Sequence, residues 1–492
     1  MQLLKSIYRS WRKNLLNEII VDDFRAWKGV HLQVASWHVR KKLEQTTDNQ
    51  KVAILLPTSG LFPVALTAIW GSGRTAVPLN YLLSPEEIQY IIKDSGVDTV
   101  ITATPMLDFI GEVPEGVELI KLDKMKFGGI PPIQKIKPMA KEALAVLLYT
   151  SGTSGKPKGV MLSAENLQSN IEQCTERASF SKSDVFIGLL PQFHSFGFTV
   201  TTLLPSVLGA KTVYIARFNP RKVISVLEEH KPSIMLAIPS MYNAILHTKT
   251  ATKDHFASVR LAGSGGEALP DAVFDGFNER FGVWICEGYG LTETSPVTNW
   301  SLPEEKQRGT VGRPVVHLEQ VIVDEDESHL GPGEDGEIRM RGPNIMQGYY
   351  NLQEETDAVF DKDGFFKTGD MGQLDEKGYL KITGRIKEML IIGGENVFPR
   401  EIEEALTEHA AVSAAGVVGR KDPSRGEVPV AFVELIEGEN FDEASLRAWC
   451  REKVAQFKVP KNIYHLEELP RNPTGKILRR ALTELVLEDS LN

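Results

Sequence analysis

"LLYTSGTSGKPKGVM", residues 147–161, carries three glycines, two lysines and five hydroxyl-bearing side chains. It follows an apolar run from Ala143 to Tyr149. Glycines let a backbone turn sharply and let successive N–H groups converge on one point. Such a nest binds phosphate oxygens. Around Gly152 and Gly155, the hydroxyls of Thr150, Ser151, Thr153 and Ser154 add donors, and Lys156 and Lys158 add positive charge. The loop has the composition of a polyphosphate site. It is not a Walker A loop, because the interval from Gly152 to Gly155 is too short and Pro157 follows the lysine. Composition alone also admits a polar surface turn.

On either side of this loop, strand-like runs alternate with helical stretches over the first 300 residues. "VAILL", "TAVPL", "DTVITA", "DVFIGLLP", "KTVYIA" and "SIMLAIP" read as strands. "SPEEIQYIIKDSG" and "NPRKVISVLEEHKP" read as helices with an N-cap and a Gly or Pro stop. The alternation predicts an α/β architecture with largely parallel sheets. From about 305 to 385, shorter Gly- and Asp-rich segments predict hairpins and a small β region. After Arg385 an α+β pattern resumes for roughly a hundred residues, enough for a small domain.

The chain has 492 residues, too many for one ordinary core, so at least two domains are expected. Its formal net charge of −10 argues against nucleic acid as the main partner. Small anions remain compatible with a local basic cluster. Cys174, Cys286 and Cys450 form no CxxC pair, which suits a reducing, cytoplasmic compartment. The opening "MQLLKSIYRSWRKNLLNEII" has no unbroken apolar core and reads as an amphipathic helix packed on the body, with peripheral membrane contact as the other use of such a helix. Val52 to Gly73 is uncharged for 22 residues, but Pro57, Gly60 and Pro63 split it into a buried strand and a helix.

At this point the sequence resembles the acyl-adenylate-forming enzymes, which include acyl-CoA synthetases, adenylation domains and firefly luciferase. "YTSGTSGKPKG" is similar to that family's phosphate loop. "GYGLTET" (288–294), "TGD" (368–370), "GRIKEMLIIGGENVFPREIEEAL" (384–406) and "RNPTGKILRR" (471–480) are similar to its later motifs, in family order. The resemblance implies an adenylation domain over 1–384, a hinge at 385–387 and a small mobile domain over 388–492. It implies a two-step reaction. A carboxylate attacks the α-phosphate of ATP, giving acyl-AMP and pyrophosphate, and a thiol such as that of CoA then displaces AMP.

The resemblance also assigns roles. The opening loop would hold the β- and γ-phosphates. Glu293 would hold Mg²⁺, a hard ion that prefers oxygen ligands, and Thr292 would donate to the α-phosphate. Tyr289 would lie against adenine, with Gly266, Glu267 and Ala268 lining the other side. Asp370 would accept from the ribose hydroxyls, since a carboxylate offers only acceptors, and Arg385 would contact the ribose at the domain junction. Lys476 would bridge the substrate carboxylate and the phosphate, lowering their repulsion. Lys387 falls at the hinge. After domain rotation, Gly393 and Gly394 would leave room for a pantetheine arm.

"LPQFHSFGFT" (190–199) resembles the substrate gate. It has no acidic residue to meet an amino group, which disfavours amino acids. Phe193, Phe196, Gly197 and Phe198 suit an apolar acyl chain, with some of them serving only as core, and His194 is the candidate gate. Ile391 stands where some relatives carry a lysine, which disfavours a luciferase-like or amino-acid-activating reading. The expectation is a medium- or long-chain fatty acid–CoA ligase. An acyl-acyl-carrier-protein synthetase, an aromatic acid–CoA ligase and an inactive nucleotide-binding homologue are the alternatives.

Overall fold

The computed structural model describes residues 1–111, 114–131, 135–150, 156–393, 395–422, 425–436, 438–471 and 475–487. Three sheets build the large N-terminal domain, and a fourth forms the small C-terminal one. The architecture is mixed α/β, as the alternating pattern predicts.

Short apolar runs become the central parallel strands because helices cover both their faces. One seven-stranded sheet has Lys51–Leu55, Thr75–Pro78, Thr99–Thr102, Glu118–Lys121 and Leu144–Thr150 in parallel. Lys158–Ser163 adds antiparallel to Leu144–Thr150, with Thr150 opposite Lys158, and Gly348–Tyr349 closes that edge. The opening loop of the sequence therefore connects two adjacent strands. Its residues Ser151, Gly152, Thr153, Ser154 and Gly155 lie outside the described residues, as does Gly394.

The nine-stranded sheet has Val185–Gly188, Lys211–Tyr214, Ile234–Ala237, Leu261–Ser264 and Ile285–Gly290 at its centre, all parallel. The third sheet is a four-stranded antiparallel meander, Glu319–Val323, Gly336–Arg341, Phe366–Leu374 and Leu380–Arg385. These strands are the hairpins expected between 305 and 385. A short 3₁₀ turn, Ile386–Glu388, leads from the last of them into the five-stranded sheet of the small domain. That sheet has its own core, around Leu390, Ile402, Val417 and Val433.

Local signals set the helix ends. Ser84 accepts from the backbone N–H of Glu87 while the Glu87 carboxylate accepts from that of Ser84, a reciprocal cap that starts helix Pro85–Ser95. Gly96 ends it in the left-handed region at φ 67°. The N-terminal helix covers only Gln2–Lys13. The sequence pattern extends helix through residue 20, yet Glu18–Val21 is a strand, paired parallel with Lys211–Tyr214. Its β-branched Ile19, Ile20 and Val21 gain more from the sheet edge than from another helical turn. The apolar face of the helix, Leu3, Leu4, Ile7, Tyr8 and Trp11, is buried in the main core. Among the described residues no helix is long and apolar enough to cross a membrane, and all three cysteines are free and buried.

Candidate active site

Asp370 and Arg385 are direct cross-strand partners in the four-stranded sheet. Their side chains project together, and Arg385 Nε lies 2.9 Å from Asp370 Oδ1. Tyr289, on the last central strand of the nine-stranded sheet, donates its hydroxyl to Asp370 Oδ2 at 2.5 Å. Asp370 is only 4% exposed, and Thr368 Oγ1 accepts from its backbone N–H. Burial, reinforced by the Asp370 carboxylate, pushes the Tyr289 hydroxyl pKa well up, so it remains a donor.

Just beyond Tyr289, the strand gives way to a 3₁₀ turn, Thr292–Thr294. Leu291 N–H donates to Thr294 Oγ1 at 3.0 Å, which fixes the turn. Thr292 Oγ1 lies 3.2 Å from Ser195 Oγ, so the turn meets the segment after His194. Glu293 accepts from the Tyr349 hydroxyl at 3.0 Å. Burial raises its carboxyl pKa, an effect that a bond from its own backbone N–H and then the Tyr349 bond oppose. At the end of the loop between Thr150 and Lys158, Lys158 makes an ion pair with Glu355 and lies 5.4 Å from the Tyr349 ring centroid. Lys156 Nζ is 5.7 Å from the ring of Tyr90.

His194 caps the short helix Ser195–Phe198 by accepting from Phe196 N–H at 3.4 Å. A single widened turn, Thr199–Leu203, continues it. Burial, with the Lys476 ammonium as the second cause, pushes the His194 pKa down to about 4, so the ring is neutral at physiological pH. Phe193 is 7% exposed and packs edge-on against Tyr81 at 4.8 Å. Phe196 stands beside Gly265: a Cβ added there would lie 3.4 Å from the ring and 3.4 Å from the Gly288 carbonyl. Gly197 offers no pocket space of its own. A Cβ at that position would lie 2.1 Å from the Pro191 carbonyl oxygen, so its glycine serves a close backbone approach. Phe198 is fully buried between Phe62 and Trp70 and is core rather than pocket.

The small domain reaches this cleft through Gly475 and Lys476. A Cβ on Gly475 would lie 3.4 Å from Ile238 Cδ1 and 3.6 Å from Ser240 Oγ. From the other side, a Cβ on Gly266 would lie 3.7 Å from Ile238 Cγ2. The backbones next to Glu267 and Lys476 thus both approach Ile238, the charges of the two side chains act on each other, and Ala268 is exposed. Burial, and then the Arg385 guanidinium, lower the Lys476 pKa, while the carboxylates of Glu267, Asp370 and Glu388 oppose the shift. Burial raises the Glu267 pKa against the pull of Lys476 and Arg471. Lys387 lies in the 3₁₀ turn Ile386–Glu388, its pKa lowered by partial desolvation and then by the Arg385 guanidinium. Gly393 sits in the left-handed region at φ 64°, and its N–H donates to the Arg425 carbonyl within the small domain's own sheet.

Tyr349 and Ser195 have no role legible in the sequence. Tyr349 stands in "QGYY" and Ser195 in "QFHSFG", but neither carries a charge or a metal-ligand pattern that would single it out.

The arrangement gathers one buried carboxylate with an aromatic hydroxyl and a guanidinium, a second carboxylate joined through Tyr349 to the neighbourhood of Lys158, and an ammonium delivered from another domain. It can hold a polyanion and a diol side by side. The chain matches the AMP-binding enzyme family over residues 34–350 and the AMP-binding enzyme C-terminal domain over residues 401–476. It is 33% identical over 480 residues to a long-chain-fatty-acid–CoA ligase of Bacillus subtilis (strain 168), covering 88% of this chain and 85% of that one. It is 32% identical over 445 residues to a sulfoacetate–CoA ligase of Cupriavidus necator, covering 88% and 87%. The fold is similar to the crystal structure of the anthranilate CoA ligase AuaEII in complex with anthranoyl-AMP, with a TM-score of 0.91 and 27% identity over 99% of this chain and 98% of that one.

Proposed function

We infer, from the premise that this chain belongs to the AMP-binding enzyme family, that it activates a medium- or long-chain fatty acid with ATP and passes the acyl group to coenzyme A. That it is an AMP-forming acid–thiol ligase follows from the family and from relatives that are CoA ligases. The acid itself is our proposal, because those relatives act on acids as different as fatty acids and sulfoacetate. One observation carries it. The gate segment from Phe193 to Val200 holds aromatic and small residues and a histidine kept neutral, with no charged side chain to meet a sulfonate or an amine. A gate segment with no charge of its own disfavours a charged tail and accepts an alkyl one.

In the first step a carboxylate oxygen forms a bond to the α-phosphorus while the bond to pyrophosphate breaks. Both reactants are anionic, so positioned positive charge lowers the barrier. Lys476 supplies an ammonium between the two, and Thr292 donates to the α-phosphate. Lys156, Lys158 and the loop between them and Thr150 hold the leaving pyrophosphate. Tyr289 lies against adenine opposite Gly266, Glu267 and Ala268. Asp370, held by Arg385 and Tyr289, takes the ribose hydroxyls.

Among the described residues no cluster of three metal-ligating side chains exists. A single carboxylate, Glu293, fits Mg²⁺, which keeps waters and binds through one or two carboxylates plus substrate phosphates. When bound there, the ion would neutralise charge on the triphosphate. In the second step the thiol sulfur attacks the acyl carbonyl and AMP leaves. Lys476 has no part in that step. Rotation of the small domain about Lys387 would exchange it for the face bearing Gly393 and Gly394.

Incubation of the protein with ATP, Mg²⁺ and a ladder of fatty acids, with either CoA or holo-acyl-carrier protein, tests the proposal by mass spectrometry of the thioester. Acyl-CoA of C8 or longer supports it. Product on the carrier protein alone, or on aromatic acids alone, refutes it.

A further inference from the structure

Tyr349 touches both ends of the triphosphate site. Its hydroxyl donates to Glu293 Oε1 at 3.0 Å, and its ring lies 5.4 Å from Lys158 Nζ. The backbone around it makes the same connection. Met346 N–H donates to the Glu293 carbonyl at 2.7 Å, and Tyr350 N–H donates to the Gly159 carbonyl at 2.7 Å. Between these bonds, Gly348 and Tyr349 pair with Met161 and Val160 on the strand that leaves the phosphate loop. Thr356 Oγ1 accepts from Tyr349 N–H at 2.8 Å, and the neighbouring Glu355 makes the ion pair with Lys158. One short segment, 346–356, thus fixes the loop's exit strand, its lysine and the Glu293 turn relative to one another.

We propose that Tyr349 is a positioning residue for adenylation, holding the Glu293 carboxylate toward the metal-bearing triphosphate while its ring steers Lys158. The inference rests on the reading of Glu293 given above. A glutamate has three side-chain torsions, and its bond to its own backbone N–H holds the Glu293 carboxylate from one side only. The hydroxyl at Oε1 selects one orientation and leaves Oε2 for the ion. The aromatic face offers Lys158 a weak cation–π seat that a phosphate can outcompete.

The test compares Tyr349→Phe, Tyr349→Leu and Glu293→Gln with the parent protein. Adenylation is read by ATP–pyrophosphate exchange across a Mg²⁺ titration. ATP binding is read separately by calorimetry with and without Mg²⁺, and folding by thermal melting. Losing one hydrogen bond to a charged group corresponds to about tenfold. Tyr349→Phe should therefore raise the Mg²⁺ concentration for half-maximal rate by about tenfold, with the rate recovering at excess Mg²⁺, and should weaken ATP binding only when Mg²⁺ is present. Tyr349→Leu should also weaken ATP binding without Mg²⁺, because the ring beside Lys158 is gone. A merely structural role would lower the rate at every Mg²⁺ concentration and lower the melting temperature with it. If Glu293→Gln shifts the Mg²⁺ curve and Tyr349→Phe does not, the inference is overturned and the Glu293 reading stands. If Glu293→Gln leaves the curve unmoved, both fall.

Discussion

Replacing Lys476 should separate the two half-reactions. Its neighbours are three carboxylates, Glu267, Asp370 and Glu388, and one guanidinium, Arg385. Lys476→Ala leaves the carboxylates in excess at the point where a triphosphate and a substrate carboxylate must meet. A unit charge 4 Å from the reacting oxygen, at an effective dielectric of about 20, contributes about 4 kcal/mol. Loss of one preorganised donor to a developing oxyanion costs about 3–4 kcal/mol by analogy with measured sites. Both routes give an adenylation rate lowered by about 10²- to 10³-fold. ATP–pyrophosphate exchange reads that step, and thioester formation from synthetic acyl-AMP reads the other, which should change by less than about threefold. Stability should move the opposite way. The folded state lowers the Lys476 pKa, so holding its ammonium costs stability, in full below the folded pKa and fading as the pH rises towards the ordinary 10.5. Lys476→Met should thus melt no lower than the parent at pH 7. Equal losses in both half-reactions, or full exchange activity in Lys476→Ala, would refute the reasoning.

The remaining expectations follow from particular contacts. His194 has a folded pKa of about 4 against an ordinary 6.5, so its neutral form stabilises the fold above pH 6.5, and this contribution is lost as the pH falls towards 4. Urea melts of His194→Asn should show a shallower loss of stability across that interval than the parent. Gly197→Ala would push a Cβ to 2.1 Å from the Pro191 carbonyl oxygen, and thermal melting should show a destabilisation of more than about 2 kcal/mol. Asp370→Asn removes the charge facing Arg385 and one acceptor for the ribose, and steady-state kinetics should show the KM for ATP raised by about tenfold or more. An unchanged KM would remove Asp370 from the nucleotide site.

Much of this protein was legible in the linear chain because its signals are local. The cap formed by Ser84 and Glu87, the left-handed stop at Gly96, and the prolines and glycines that divide residues 52–73 each act within a few positions. The α/β class follows from the alternation of such signals. The family follows from five short motifs in a fixed order, whose glycines, hydroxyls and charges are chemically distinctive even before they are placed in space.

What depends on contacts between distant segments was not legible. Residues 18–21 become a strand because a parallel partner nearly two hundred positions away is available at the sheet edge. Gly197 could be read as pocket space, and only the folded backbone shows the Pro191 carbonyl pressed against it. Tyr349 meets Glu293 across a separation of 56 residues, and no periodicity marks that meeting. The depressed pKa of His194 depends on burial and on a lysine from the other domain. Sequence determines which groups are available and how each short segment prefers to fold. Hydrogen bonds, burial and charge act through space, so which groups meet, and in which protonation state, is decided only when the sheets and the two domains have packed together.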